Sequence, residues 1–302
     1  MEGRSTSCIN FVLFFIFVCH LFLHGGQQVG VYHIKKATAN IKIDGYLNEK
    51  VWEDALVLPV NIEFMPGENI EAPVQTQCLL LYDDNYLYVG FKADDPHPHR
   101  IRAHLWDRDS AWTDDLVAIL LDTFNDENRA FAFLCNPLGV QSDEIFSDGG
   151  TVEDKSWDAI WDSAGHIHDG GYEVEMAIPF RSLQFQRSTN PQTWGFALLR
   201  NYPRSQLHQI TNFHHNRNNT CLLCQFPKLA GIEDASPGKN IELDPTFTAF
   251  QTDSTENFPD SPMERVDSQM EVGISGQWGF TSNLTLSGAI NPDFSQVEAD
   301  VA

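Results

Sequence analysis

The sequence predicts an all-β protein, namely an antiparallel, jelly-roll-like β-sandwich followed by the first strands of an incomplete β-barrel. Two observations predict this fold class. From residue 41 to about residue 232, the chain is a series of short, strand-length runs separated by turn residues, a spacing typical of sandwiches. After a change in composition at residues 235–238, the alternation of apolar and polar residues becomes longer and more regular.

The first predicted elements are a short strand that ends at the turn Asp44-Gly45 and a short helix that begins near Asn48. This helix carries Trp52 inward. We expect both Trp52 and Trp194 to be core residues, because apolar neighbours surround each of them.

The remaining sandwich strands follow at short intervals. A hairpin opens the series, because the runs 75–81 and 86–93 flank the turn sequence Tyr82-Asp83-Asp84-Asn85. The apolar run 116–121 has the length and composition of a buried strand. Further strands are predicted at 129–134, 140–146, 172–178 and 194–200.

Residues 236–302 are predicted to contain a linker and the start of an outer-membrane-type β-barrel. Apolar side chains occupy one face of the strands predicted at 270–280 and 284–290, and polar side chains occupy the other face. Strands of roughly 10 residues with this pattern are typical of a transmembrane β-barrel, which needs at least about eight strands to close. We therefore expect this sequence to be a fragment. An ordinary soluble hairpin with one buried face is the alternative.

Residues 1–26 are predicted to be a signal peptide, because Arg4 precedes an apolar run at 9–23 that is short for a membrane span. Export places the mature chain in an oxidising compartment, where Cys221 and Cys224 are close enough in sequence to form a local disulfide. We expect the sandwich to cover residues 38–235.

The composition excludes one class of partner. The chain has 42 acidic residues against 19 basic residues, which gives a formal net charge of -23 at pH 7. Phosphate backbones repel such a chain, so we expect no nucleic-acid partner. Neutral sugars, cations and basic surfaces are compatible with this charge.

Several motifs resemble those of one family. They are Ile43-Asp44-Gly45-Tyr46-Leu47-Asn48-Glu49-Lys50-Val51-Trp52, Ala93-Asp94-Asp95-Pro96 and the segments 121–126, 136–141, 177–183 and 291–300. Together they resemble the family 9 carbohydrate-binding-module-like domain of bacterial outer-membrane proteins that carry a C-terminal β-barrel region. The resemblance implies an exported sandwich, in the periplasm or at the outer membrane, that binds an oligo- or polysaccharide. It also implies attachment to the outer membrane through the missing barrel.

Two alternatives to simple carbohydrate binding remain open at this point. One is a glycoside hydrolase acting on O-glycosyl bonds in carbohydrate catabolism, an activity loosely attached to the family. The other is a docking or plug domain of an outer-membrane transporter.

The predicted site is a group of tryptophans near strand ends and loops. An indole packs on the apolar C–H face of a sugar ring, while neighbouring polar groups bond the hydroxyls. We expect Trp112 to stack on the sugar, because sugar-binding members of the family place one wall of an aromatic clamp near this position. The assisting residues are predicted to be Trp106, Trp157, Trp161, Arg108 and Asp109. For each tryptophan, a place in the core is the alternative.

The chain also departs from the family's sugar-binding pattern. Binders carry a carboxylate a few residues into the strand after the clamp tryptophan, whereas this strand offers Val117, Ala118 and Ile119. Phe213 and His214 occupy the late loop where a second clamp tryptophan is expected. An altered ligand or a docking role therefore fits as well.

The residue types present allow two further kinds of site, a calcium site and a pair of catalytic carboxyls. Asp122, Asn125 and Asp126 form an oxygen-rich loop that suits calcium, although a turn capped by its own side chains is the alternative.

Glycoside hydrolysis needs two carboxyls about 5 to 10 Å apart across one sugar bond. Candidate acids are abundant, and we expect them to be solvated surface groups rather than a catalytic pair. They are Asp107, Asp109, Asp114, Asp115, Asp143, Glu144, Asp158 and Asp162.

Overall fold

The structure is a computed structural model that describes residues 30–188, 190–237, 241–254, 264–281 and 284–291. The predicted signal peptide, residues 1–26, lies outside these residues. Within them the strands are β1 (Val31–His33), β2 (Lys35–Lys36), β3 (Leu56–Pro59), β4 (Ile62–Met65), β5 (Ile70–Glu71), β6 (Thr76–Tyr82), β7 (Tyr86–Asp94), β8 (Leu116–Asp122), β9 (Ala130–Cys135), β10 (Gln141–Ser147), β11 (Val152–Asp154), β12 (Asp162–His168), β13 (Gly171–Pro179), β14 (Gln192–Pro203), β15 (Leu207–Thr211), β16 (Lys228–Ile232), β17 (Ile241–Ser254), β18 (Glu264–Thr281) and β19 (Leu284–Ile290). The helices in the same ranges are short 3₁₀ segments at Lys50–Asp54, Pro98–Arg100, Asp148–Gly150, Phe180–Ser182 and Leu223–Gln225. The predicted all-β fold class is confirmed.

Two sheets pack against each other as a sandwich. The larger sheet has the order β11-β10-β9-β8-β14-β15-β4-β5, with β16 beside β14 and β1 beside β16. The smaller sheet has the order β12-β13-β7-β6-β2, with β3 beside β6. Neighbouring strands are antiparallel, except for the parallel pairs β1–β16 and β2–β6.

The main core lies between the two sheets, because alternate residues of each strand point inward. Ile119, Phe133 and Phe196 enter it from the larger sheet, and Val89 and Val174 from the smaller sheet. Strand β8 is buried along its whole length, since a second apolar cluster covers its outer face. This confirms the buried strand predicted at 116–121.

The segment before the first 3₁₀ helix differs from its prediction. Residues 41–43 do not form a strand. Instead, the backbone N–H groups of Asp44 and Gly45 donate to Oε2 of Glu175 at 2.9 and 2.8 Å. Gly45 has a φ of 87°, and a Cβ there would lie 2.9 Å from a backbone carbon of β12. The short helix buries Trp52 against the outer face of the smaller sheet, as expected.

The sandwich begins before residue 38, where the sequence placed its start. β1 pairs with β16 in the larger sheet, and β2 pairs with β6 in the smaller sheet. Ile34 alone separates β1 from β2. This segment therefore crosses from one sheet to the other.

β17, β18 and β19 form a third, antiparallel sheet of their own. The strands predicted at 270–280 and 284–290 are parts of β18 and β19. One face of this sheet carries exposed apolar side chains, among them Phe247, Met270, Val272 and Leu286. None of the helices in the described ranges has the length and apolar character required to cross a membrane.

Candidate functional site

The outer face of the larger sheet carries a cleft with a volume of about 570 Å³. Its floor consists of short and aliphatic side chains from β8, β9 and β14, which point away from the main core. These floor residues are Leu120, Ala132, Leu134, Ala197 and Leu199. Ala132 and Ala197 lie opposite Leu120 on the neighbouring strands, so small side chains flank the leucine of the central strand.

Polar side chains stand at both ends of this floor. β14 and β15 supply Asn201, Gln209 and Thr211 at one end. β10 and β11 supply Glu144 and Glu153 at the other end, beyond β8 and β9 in the sheet. An apolar floor between polar ends suits a ligand that has apolar faces and polar edges.

Trp112 forms a wall of the cleft. Its ring is half-buried, and its Nε1–H donates a 2.8 Å hydrogen bond to the carbonyl oxygen of Asp109, which fixes the orientation of the ring. The Lys155 ammonium lies 4.6 Å from the centroid of the indole, in a cation–π contact. The same ammonium lies 3.7 Å from a carboxylate oxygen of Glu153. The indole face that borders the cleft thus contacts the end of a lysine side chain.

Glu144 is a buried carboxyl that opens onto this cleft. It is 2% exposed, and its Oε2 has no hydrogen-bond partner among the described residues. Burial, and after it the charge of Glu153, raises the pKa of Glu144 to about 7, although Lys155 acts in the opposite direction. Burial disfavours the ionised form because an apolar environment solvates charge poorly.

His215 lines the cleft just after β15. Its backbone N–H donates to Oδ1 of Asn69 at 2.7 Å. The buried Nδ1 atom of the ring has no hydrogen-bond partner among the described residues. Burial, and then the charge of Arg217, lowers the pKa of His215. A neutral imidazole in this position can exchange hydrogen bonds with a ligand.

A comparison with protein families identifies the sandwich. The family model described as "Carbohydrate family 9 binding domain-like" matches residues 43–217, more than half of the chain. The chain belongs to this family. The matched segment contains β8, β9, β10, β14 and β15, so the floor of the cleft lies within the family 9-like domain.

Solved structures show a similar arrangement. A structure from Bacteroides uniformis, proposed to be a carbohydrate-binding protein, has a TM-score of 0.54 and 12% identity, and the match covers 67% of this chain and 99% of that chain. A family 9 carbohydrate-binding module from Caldicellulosiruptor kristjanssonii in complex with cellotriose has a TM-score of 0.47 and 18% identity, over 68% of this chain and 95% of that chain. The first of these likenesses supports the sandwich fold. No curated protein matches the chain.

Of the four tryptophans predicted to bind sugar, Trp112 is the one that lines the cleft of the family 9-like domain. Trp106 is 44% exposed, but it lies outside the cleft. Its Nε1–H donates to Oδ2 of Asp114 at 3.1 Å, and its ring lies 5.5 Å from that of His104. Trp106 is therefore a surface residue held by the loop before β8.

Trp157 and Trp161 pack on the core side of the larger sheet. The ring centroid of Trp157 lies 5.0 Å from that of Phe131. Trp161 is 4% exposed and meets Phe133 edge-on at 5.4 Å. The inner face of the sheet holds both rings, whereas the cleft opens on the outer face, so these two tryptophans occupy the core position that the sequence left open as the alternative.

Arg108 and Asp109 bond to the protein itself. The guanidinium of Arg108 contacts the carboxylate of Asp143, and its Nε lies 3.2 Å from a carboxylate oxygen of Asp158. It also donates to the carbonyl oxygen of Ala159 at 2.7 Å. One carboxylate oxygen of Asp109 accepts the backbone N–H of Asp143 at 3.0 Å. Both residues thus fix the loop that carries Trp112, and neither lines the cleft as predicted for a residue that bonds sugar hydroxyls.

Asp109, Asp143 and Asp158 also form a cluster with the spacing of metal ligands, the one such group among the described residues. Arg108 already supplies a positive charge to all three carboxylates. Burial raises the pKa of Asp143 to about 6, although the Ala159 N–H and Arg108 lower it. The cluster is therefore explained as an ion-pair network.

The loop predicted to bind calcium is a capped turn. Asp122 is buried, and its carboxylate oxygens accept the backbone N–H groups of Asp126 at 3.4 Å and Glu127 at 2.9 Å. Asp126 in turn accepts the N–H of Asn128 at 3.1 Å, and Asn125 has a φ of 53°. These are Asx-type turn contacts. The structure favours the capped turn, which the sequence left open as the alternative to calcium.

Cys221 and Cys224 are joined by a disulfide. The bonded loop borders the cleft, since Leu222 lines it. The backbone N–H of Leu222 donates to the carbonyl oxygen of Gly149 at 2.8 Å. The disulfide loop therefore supports the segment that leads into β11 and the acidic end of the cleft.

The expectation that Asp143 and Glu144 are solvated surface groups is wrong, because both are buried, and sequence reasoning did not identify Glu144 as a cleft residue. Consecutive residues of a strand point to opposite faces of the sheet, so the side chains of Asp143 and Glu144 lie on different faces. Alternation does not show which of the two faces carries a cleft. One feature of the sequence could have pointed to Glu144. The strand that contains Ala118 lacks the carboxylate that sugar-binding members of the family carry, so a neighbouring strand could be expected to supply it. Glu144 lies on the same outer face two strands away, and can supply that group from β10.

Proposed function

We propose that the family 9-like domain binds carbohydrate non-catalytically in this cleft, with Trp112 as the stacking residue. The observation that carries this function is the half-buried indole of Trp112 beside an apolar floor with polar ends. A sugar ring has the matching pattern, since its C–H faces are apolar and its edge carries hydroxyls. Membership of a family of carbohydrate-binding domains supports the same function.

In this mechanism the saccharide lies along the floor and stacks one ring on Trp112. Asn201, Gln209 and Thr211 bond its hydroxyls at the β15 end of the cleft. The floor is rigid, because the main core supports β8, β9 and β14 from below, and a pre-formed site loses little entropy on binding. The Lys155 ammonium moves off the indole face that the sugar occupies.

Calorimetric titration and tryptophan fluorescence with cello-oligosaccharides test this function. We expect Trp112→Ala to weaken binding by about tenfold, equivalent to about 1.4 kcal/mol, because the stacked ring is lost. Trp106→Ala is the matched control, since Trp106 is exposed outside the cleft. Sugar binding in the cleft is ruled out if no oligosaccharide binds, or if Trp112→Ala behaves like Trp106→Ala.

Glycoside hydrolysis is a weaker candidate. Asp143 and Glu144 both have a raised pKa, but as neighbours in β10 they point to opposite faces of the larger sheet. They therefore do not flank one sugar bond as hydrolysis requires. Release of reducing sugar by the chain, lost in Glu144→Gln, would favour hydrolysis over simple binding.

We also propose that the chain is exported and that the β17–β19 sheet holds it at the bacterial outer membrane. Phe247, Met270, Val272 and Leu286 are each more than half exposed on one face of this sheet. Exposed apolar surface of this kind marks membrane or protein contacts, and the alternation is that of lipid-facing strands.

Fractionation of cells that express the chain tests this location. We expect the chain to be recovered with the outer membrane, and Val272→Arg to move it toward the soluble fraction because a charge is costly on a lipid-facing position. Gln269→Arg is the matched control on the opposite, polar face of β18. Recovery of the unmodified chain in the soluble fraction would contradict the proposed location.

A further inference from the structure

The chemistry at the acidic end of the cleft differs from that of an uncharged sugar site. Oε2 of Glu144 is buried and makes no hydrogen bond to any described residue. Nearly all buried polar atoms in folded proteins have a partner, so an unpaired carboxylate oxygen that faces an open cleft points to a partner supplied by the ligand. A carboxylate accepts hydrogen bonds most strongly from a cationic donor.

The wall beside Glu144 already holds an ammonium group. The Nζ atom of Lys155 lies over the Trp112 ring and within ion-pair distance of Glu153. An indole face attracts a cation because its π-system is electron-rich. Lys155 therefore shows that this wall accepts a primary ammonium, and a ligand ammonium would find the same environment.

The charge of the cleft favours a cation as well. Lys155 is the only lysine or arginine among the described residues that line it, whereas Glu144 and Glu153 are both acidic. The chain as a whole carries a formal net charge of -23. An anionic sugar would meet repulsion, and a neutral sugar that displaces Lys155 from the Trp112 face would bring no positive charge in its place.

We propose that the cleft takes a saccharide with protonated amino groups, such as an oligosaccharide of glucosamine, whose ammonium replaces Lys155 on the Trp112 face and pairs with Glu144. This inference rests on the proposed function, since it assigns a ligand class to the same cleft. Trp112 supplies the stacking surface for any sugar, and Glu144 supplies the preference for the amino form. Glu144 is thus a specificity-determining residue.

Proton release provides a direct signature of this pairing. The charged groups that face Glu144 are Glu153 and Asp109, which raise its pKa, and Lys155, which lowers it. Near pH 6, about one unit below the pKa of Glu144, the carboxyl is mostly protonated and the sugar amine is cationic. The ammonium stabilises the ionised carboxylate, so binding releases a proton from Glu144.

Calorimetry with three matched trisaccharides tests the ligand class on the full chain. The glucosamine trisaccharide carries ammonium groups, the N-acetylglucosamine trisaccharide carries neutral amides, and cellotriose carries hydroxyls at the same positions. We expect the glucosamine trisaccharide to bind about tenfold more tightly than cellotriose. Titrations near pH 6 in two buffers of different ionisation enthalpy should show proton release with the glucosamine trisaccharide alone.

Two variants separate the roles of the charged residues. Glu144→Gln should reduce the ratio of affinities for the glucosamine trisaccharide over cellotriose by about tenfold and abolish proton release. Lys155→Met removes the competing ammonium but keeps an apolar side chain of similar length. It should strengthen binding of the glucosamine trisaccharide by about two- to fivefold.

The outcomes distinguish this inference from the proposed function. If cellotriose binds through Trp112 but the glucosamine trisaccharide binds no better and releases no proton, the amino-sugar preference is wrong and carbohydrate binding stands. If no trisaccharide binds, both are wrong. If Glu144→Gln fails to fold, the proton release of the unmodified chain and the Lys155→Met comparison still decide the question.

Discussion

The outer faces of the two sheets differ in how completely other segments of the chain cover them. On the smaller sheet, the segment that contains Leu47, Val51 and Trp52 covers the apolar outer face and seals it. On the larger sheet, the outer face carries a cleft, and Trp112 packs against the apolar cluster and lines this cleft. The outer face of the smaller sheet is thus a second core, whereas that of the larger sheet is covered only in part, by the loop that carries Leu223 and Phe226, and the remainder forms the candidate binding site.

Each outer face also contains a buried glutamate, and the two differ in their partners. Oε2 of Glu175 accepts the backbone N–H groups of Asp44 and Gly45 from the covering segment. Oε2 of Glu144 has no hydrogen-bond partner among the described residues, and the same holds for Oε1 of Glu175. Burial is the first cause that raises the pKa of each carboxyl to about 7. The comparison teaches that Glu175 holds a segment in place, whereas Glu144 is available to a ligand.

The largest expected effect is a loss of folding stability, and it should differ between Trp52 and Trp112. Trp52→Ala should lower the free energy of unfolding by about 3–5 kcal/mol, because it leaves a cavity under the covering segment. Trp112→Ala should lower it by less than about 1 kcal/mol, since that ring is only half-buried. Urea unfolding of both variants measures the difference. Equal losses of stability would show that the two faces are not distinct.

The next effect is the pH dependence that the two glutamates create. Both have a folded pKa of about 7, above the ordinary value of 4.5, so the folded state binds protons more tightly than the unfolded state. The stability they contribute is present at low pH and is lost as the pH rises from about 4.5 to about 7, by on the order of 1–3 kcal/mol for each.

Glu144→Gln and Glu175→Gln separate the two contributions. Glu144→Gln should raise stability above pH 7 and flatten the slope, because a buried charge is removed and no bond is lost. Glu175→Gln should gain less, since the amide oxygen accepts the N–H groups of Asp44 and Gly45 more weakly than a carboxylate does. Thermal unfolding from about pH 4 to about pH 8 measures both. An unchanged slope in Glu144→Gln would contradict the assigned pKa shift.

The smallest effect concerns the rim of the cleft. Cys221→Ser opens a short disulfide loop and should cost about 2 kcal/mol of stability, on a chain-entropy estimate. Because Leu222 bonds to Gly149 at the acidic end of the cleft, the variant should also weaken sugar binding by about two- to threefold. Calorimetry and thermal unfolding measure the two losses. Reduction of the disulfide in the unmodified chain is the matched control, because it opens the same loop without a substitution.

The alternation of apolar and polar residues predicted most of the strands, because this alternation depends only on residues that are consecutive in the sequence. The hairpin of β6 and β7 and the fully buried β8 followed from it. Residues 41–43 did not, because the bonds that hold the next residues come from Glu175, which is 131 positions away from Asp44. The alternation of neighbouring residues does not report a contact between residues so far apart in the sequence.

The site was predicted less completely than the fold, and the reason is also physical. Trp112 was singled out by family resemblance and lines the cleft. Trp161 was singled out by residue type alone and is in the core. In a sandwich with apolar residues on both sides of a sheet, alternation separates two faces but does not say which one is covered. That depends on distant segments such as the one that contains Trp52.

The strand that crosses between the sheets has a mechanical consequence. β1 runs parallel to β16, so the chain enters the pair beside Lys228 and leaves it beyond Ile232, at the opposite end. A pull on both ends of the sandwich therefore shears the two strands past each other and loads their hydrogen bonds simultaneously rather than one after another. A module pulled by both of its ends would therefore resist extension at this strand pair.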